Sequence, residues 1–239
     1  NFRKMKPILF LSFLAVMAFV CMGDMIFDDL VEITPPEELK YLMPSNAAMG
    51  VCPDEVLIKK ANYDWETYLG FNGSLTWKDS ATLWVQVRRM LKTGNLTAFQ
   101  NICRSRDLFY TTFGQSLYYQ CINIFSLMQY TTNWTVAATY VRMWEHLDFM
   151  CNVGFEQLIS PGVWGCVSVA SSSTACNDAY NANVNYTNPC PAVQSYMGCQ
   201  KAFLDKACGK PLGYYACEDV RLGYGRYCEN LRCTVMKKK

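Results

Sequence analysis

Apolar residues along this chain recur at steps of three and four. Leu83, Trp84, Val87, Met90 and Leu91 fall on one face of a predicted helix, and Gly94 supplies its stop signal. Val136, Tyr140, Met143, Trp144, Leu147, Met150 and Cys151 repeat in the same way. That pattern continues to Phe155, Leu158 and Ile159, and Pro161-Gly162 ends it. Pro191 suits the first turn of a helix running towards Cys208; Gly209 then stops it and Pro211 opens the next. Leu96 to Tyr130 also reads as helical, with Gly114 as a break. Ser171 to Pro189 is small and polar and reads as a loop, tied near its ends by Cys176 and Cys190. A short helix is stable in water only when such a stripe is buried, so these faces are read as core. The expected fold class is mainly α, a disulfide-rich helical bundle with loops.

The opening segment has a different pattern. Arg3, Lys4 and Lys6 precede an apolar run from Ile8 to Val20, broken only by Ser12, with Cys21 and Gly23 at a cleavage position. This is the layout of a secretory signal, expected to span residues 1–23, with Met5 as initiator. The run is shorter than the ~20 residues of a membrane span, and acidic Asp24, Asp28 and Asp29 follow it directly. No second long apolar run follows, and the chain ends Lys237-Lys238-Lys239, so neither a lipid-linked anchor nor a membrane span is expected after cleavage. Residues 24–49 carry Pro35, Pro36 and Pro44 among acidic residues and read as a flexible arm. Residues 50–239 read as one cysteine-rich helical extracellular domain.

Cleavage changes two totals. The chain has 13 cysteines. Losing Cys21 leaves Cys52, Cys103, Cys121, Cys151, Cys166, Cys176, Cys190, Cys199, Cys208, Cys217, Cys228 and Cys233, an even set. The net charge of +2 loses three basic residues and falls to about −1, which argues against nucleic acid as a partner. Zinc is the competing use of so many thiols. Structural zinc sites favour C-x2-C pairs, and none occurs here. The export signal points instead to an oxidising route and six disulfides, with no metal or other cofactor. Their connectivity stays open, with one restriction. Residues nine apart on a straight helix are about 13 Å apart, beyond the ~7 Å Cα limit of a disulfide. Neither Cys190–Cys199 nor Cys199–Cys208 should pair within one helix.

Four N-x-[ST] sequons, at Asn72, Asn95, Asn133 and Asn185, are candidate N-glycosylation sites; Pro189 excludes Asn188. Charge is uneven along the chain. Asp24 to Val56 holds eight acidic residues against Lys40, whereas Lys201 to Lys239 holds nine basic against four acidic. Opposite-sign ends could meet each other or an anionic glycan, and solvated charge is the simpler reading.

The C-terminal half carries a resemblance. Cys199, Cys208-Gly209, Tyr214-Tyr215-Ala216-Cys217-Glu218, Arg221 and Cys228 follow Phe99 to Cys103, Cys121 and Asp148-Phe149-Met150-Cys151 upstream. This layout resembles a nematode-type secreted cysteine-rich family, the domain of unknown function 19 group, and more loosely the chondroitin proteoglycan 4 type. The resemblance covers roughly Phe99 to Cys233 and implies a helical, disulfide-bonded extracellular domain without catalytic activity. The proteoglycan variant lacks a Ser-Gly dipeptide to accept a glycosaminoglycan.

Catalytic chemistry has one anchor. His146 is the only histidine, so any Ser-His or Cys-His scheme must use it. Its setting, Trp144-Glu145-His146-Leu147-Asp148, places it on the polar side of a predicted helix, where a solvated histidine is expected. A secreted phospholipase is also helical and cysteine-rich, and Tyr224-Gly225-Arg226-Tyr227-Cys228 is superficially similar to its calcium loop. Here, however, that segment follows the histidine, and no Asp comes directly after His146. G-x-S-x-G, H-E-x-x-H and phosphate-binding glycine loops are absent. Abundant Phe, Tyr and Met would suit a carrier of a small apolar ligand, but they equally suit a core. The expectation is a noncatalytic extracellular binding or structural module, not an enzyme, whose partner is an extracellular protein or glycan.

Overall fold

The computed structural model describes residues 52–170, 175–185, 187–225 and 228–234. The expected signal segment, the acidic arm and the tri-lysine end lie outside the described residues. Within them the fold is helical and contains no strand. The first five helices are α1 (Glu55–Tyr68), α2 (Ser80–Leu91), α3 (Leu96–Phe113), α4 (Gln115–Cys121) and α5 (Ile124–Leu127). They are followed by α6 (Trp134–Cys151), α7 (Phe155–Leu158) and α8 (Val163–Ala170). The last three are α9 (Ala175–Asn183), α10 (Cys190–Ala207) and α11 (Lys210–Tyr224), and a 3-10 turn over Trp77–Asp79 precedes α2. The mainly α, disulfide-rich architecture expected from the pattern is the one observed.

Local chemistry sets many of the boundaries. Asp54, Asn95, Asn123 and Asn133 cap α1, α3, α5 and α6, each accepting a backbone N–H of the first turn through its side-chain oxygen. Such a cap contributes about 1 kcal/mol relative to alanine. Gly114 divides α3 from α4 as expected. Gly209, at φ +103, turns the chain between α10 and α11, a conformation that favours glycine. Pro211 then occupies the first turn of α11.

Two expectations are corrected. The helix read as running from Val136 to Ile159 ends at Cys151; Asn152 departs from helical geometry (φ −117°, ψ −88°), and α7 starts afresh at Phe155. The apolar period continues across this break because Leu158 still faces the core. The second correction concerns 171–189, read as a loop: it contains α9. Cys176 and Tyr180, one turn apart, are buried beneath polar neighbours, so one short stripe suffices to dock it. Cys176 and Cys190 also take different partners, so they do not close that segment on itself.

The buried residues form two clusters. The larger holds Trp65, Trp77, Leu83, Trp84, Phe99, Phe109, Tyr140 and Trp144 and draws on α1 to α8, with Leu204, Leu212, Tyr215 and Ala216 added from α10 and α11. The smaller holds Tyr180, Val193, Tyr196, Met197, Val220 and Tyr224 from α9, α10 and α11. Phe203 packs against both.

Helix α6 lies at the centre of the larger cluster, against α2, α3, α5, α7, α11 and the 3-10 turn. Every residue from Ala137 to Trp144 is buried, so the helix is enclosed on all sides. Its polar side chains therefore need partners within the protein. Tyr140 donates its hydroxyl to Asn62 Oδ1 at 3.1 Å, and Asn62 in turn donates to Glu66 and to the Leu75 carbonyl. Asp148 accepts from Arg106 Nε at 2.6 Å and from the Tyr118 hydroxyl at 2.8 Å. Burial holds the Asp148 carboxyl above its ordinary value, and Arg106 and Tyr118 offset only part of that rise.

Glu66 is fully buried in this core. Burial pushes its carboxyl from 4.5 up to about 6, aided by nearby Asp79 and opposed by the Leu75 N–H and Asn62. An acid whose folded pKa exceeds its unfolded value destabilises the fold as pH rises through that window. Stability should therefore fall between about pH 4.5 and pH 6 and stay lower above it. Glu66→Gln, which keeps an acceptor without the charge, should remove this slope and raise stability above pH 7 by on the order of 2 kcal/mol. Urea unfolding at pH 5 and pH 7.5 measures both effects, and an unchanged slope in the variant would contradict the assignment.

Candidate functional site

All twelve cysteines of the even set form disulfides. Cys52–Cys121 ties the start of the described chain to the end of α4, and Cys103–Cys151 ties α3 to the end of α6. Cys166–Cys208 joins α8 to the end of α10. The remaining three, Cys176–Cys199, Cys190–Cys228 and Cys217–Cys233, bind α9, α10, α11 and the following segment together. Their Cα separations run from 4.5 Å to 5.8 Å, inside the range a disulfide spans. Cys190 and Cys199 share α10 and pair with other elements, as helix geometry requires.

His146 is not solvated. It is 2 % exposed, because α11 packs over this face of α6 at Gly223 and Trp84 of α2 covers the ring. Its Nδ1 lies 2.9 Å from Oδ1 of the fully buried Asp219 on α11. Trp84 of α2 stacks on the imidazole, the rings 5.6 Å apart and inclined at 14°. A Cβ at position 223 would come within 2.8 Å of His146 Nε2, so only glycine allows α11 this close to α6. One turn along α6, the Arg142 guanidinium lies 4.4 Å from the Tyr224 ring centre, a cation–π contact. Tyr215 completes the surroundings: burial raises its phenol well above its ordinary value, and the charge of Asp219 raises it further. The group is a polar seam joining α6 to α11.

The four sequon asparagines are all exposed. Asn95 and Asn133 are helix caps that use Oδ1. Asn72 accepts from both N–H and hydroxyl of Ser74, and Asn185 does the same with Thr187 (3.0 Å and 2.7 Å). No metal-binding group of His, Cys, Asp or Glu is present among the described residues. No helix among them is long and apolar enough to cross a membrane.

A surface cleft of about 310 Å³ lies between α9 and α10. It is walled by Ala179, Tyr180, Asn183, Ala192, Ser195 and Tyr196, with the Cys176–Cys199 disulfide at its base. Tyr180 and Tyr196, their rings 5.4 Å apart at 56°, back the cleft from within the core, each only 4 % exposed, and no lining residue is charged. A second cleft, about 480 Å³, adjoins it across Pro191 and is lined by Asn188, Gln194, Glu229 and Asn230. There the Gln194 amide holds the backbone of Arg232 through two hydrogen bonds of 3.0 Å. These residues are hidden in the sequence because 171–189 reads as a loop. The Cys176/Tyr180 step of four was the available signal.

No family model, curated protein or solved structure matches this chain.

The buried pair makes a direct prediction. His146→Ala leaves Asp219 enclosed without its imidazole partner and should destabilise the protein by about 3–5 kcal/mol. Asp219→Asn, which retains an oxygen acceptor, should lose clearly less. Denaturant unfolding of both variants checks this; equal stability of His146→Ala and wild type would contradict it.

Proposed function

We propose that this chain is an exported, N-glycosylated, noncatalytic binding or structural module that meets an extracellular protein or glycan. The observation that carries the reading is the pairing of all twelve cysteines beyond the expected signal segment into six disulfides. Such density is characteristic of oxidising compartments, where each bridge typically contributes about 2–4 kcal/mol. Four exposed sequons agree with the same route. The cysteine layout that resembles the nematode-type secreted family implies the same kind of domain, helical, extracellular and without catalysis.

The noncatalytic half draws support from His146. A general base must reach a proton on its substrate, whereas this imidazole is enclosed by Trp84, Asp219 and Gly223. Tyr140, Arg142, His146 and Asp148 of α6 are all engaged with neighbouring helices. The carrier reading has the α9–α10 cleft in its favour, but the exposed Asn183 and Ser195 give that cleft a polar rim. An apolar carrier would need an enclosed site.

Expression in a eukaryotic secretory host tests the reading. The protein should appear in the medium, start near Asp24, take up no alkylating reagent without reduction and shift on glycosidase treatment. A lipid extract of it should be empty, and a broad hydrolase screen should show no turnover. Retention inside the cell, several free thiols, or turnover that vanishes on unfolding would overturn it.

A further inference from the structure

We propose that the cleft between α9 and α10 is a neutral-sugar site, occupied by the first N-acetylglucosamine residues of the chain's own glycan on Asn185. The inference rests on the export reading, since the glycan is added only on that route. It goes further by giving one sequon a docking place.

Position is the first argument. Asn185 lies in the connection between α9 and α10, the two helices that wall the cleft. Asn183, two residues before it, lines this cleft, and Asn188, three residues after it, lines the adjoining one. Two residues of extended chain span about 7 Å, so a sugar on Asn185 begins at the rim of both. Asn185 is exposed, and its Oδ1 is held by the N–H and hydroxyl of Thr187, which leaves Nδ2 as the atom for attachment.

Chemistry is the second. An N-acetylhexosamine is uncharged, with an apolar ring face, hydroxyls around its edge and an acetamide group. The cleft answers each part: Ala179, Pro191 and Ala192 for the apolar face, with the buried Tyr180 and Tyr196 behind them, and no charge to be desolvated. Asn183 Oδ1 and Ser195 Oγ serve the edge as acceptors, while the Asn183 amide and Ser195 hydroxyl donate to the Ala179 and Pro191 carbonyls. Its volume, about 310 Å³, suits one small ligand. Asn72, Asn95 and Asn133 do not line either of these clefts.

The test uses the full protein secreted from eukaryotic cells. Release by peptide N-glycosidase is followed site by site under native conditions. The Asn185 glycan should leave about tenfold more slowly than that on Asn72. Ser195→Trp, which fills the cleft from an exposed position, should bring the Asn185 rate up to that of Asn72 while the circular dichroism stays unchanged. Thr187→Ala removes the sequon and should open the site, so that N,N′-diacetylchitobiose binds it with a Kd on the order of 1 mM, while glycosylated wild type does not respond. Equal release rates at Asn185 and Asn72 would overturn the proposal, as would a bare Asn185 beside occupied sequons. Chitobiose binding to both forms would also overturn it, by showing a site that takes sugar in trans. Absence of glycan from all four sequons of the secreted protein would instead refute the N-glycosylation part of the proposed function, on which this inference rests.

Discussion

A polar side chain on an enclosed helix needs a partner, and four on α6 find theirs on neighbouring helices. Together they hold α1, α3, α4 and α11 in place. Tyr140 reaches Asn62 of α1, Arg142 meets Tyr224 and His146 meets Asp219 on α11, and Asp148 holds Arg106 of α3 together with Tyr118 of α4. Hydrophobic burial supplies most of the stabilisation but has no direction. The polar pairs have direction, and they fix which neighbour lies against which face of α6. Removing one member of a buried charged pair leaves the other uncompensated, so these contacts act as constraints on topology more than as net stabilisers.

The C-terminal helices depend on a different device. Their own apolar cluster is small, and α9 has only nine residues, below the length at which an isolated helix is stable in water. Three disulfides close α9, α10, α11 and the segment through Cys233 into one unit. That unit is attached to the larger core by the polar seam on α6, by Phe203 and the neighbouring apolar side chains of α10 and α11, and by Cys166–Cys208. The result is a cross-linked frame around the α9–α10 cleft, on which the sugar-docking proposal rests.

Much of this was legible in sequence wherever one residue type has one dominant use. The even cysteine set, Gly114 and Gly209 as breaks, and Pro191 and Pro211 as first-turn residues all carry local chemistry that the surroundings do not override. What failed did so for tertiary reasons. His146 sits among Glu145, Asp148 and other polar residues, and the periodicity of α6 alone places it outward; only the arrival of α11, through Gly223, encloses it. Helix α1 has a mixed pattern, with Asn62 and Glu66 buried between Ile58, Ala61 and Trp65, so no apolar stripe announced it. The candidate cleft was illegible for the same kind of reason, because α9 buries little beyond Cys176 and Tyr180.

Among the described residues α6 is the most enclosed helix, and native-state hydrogen exchange reads this directly. Amides from Ala138 to Leu147 should exchange only through global unfolding, with free energies matching that from denaturant titration, while those of α9 open by smaller local fluctuations. Exchange in α6 as fast as in α9, or well below the global free energy, would contradict the placement of α6 at the centre and the polar constraints built upon it.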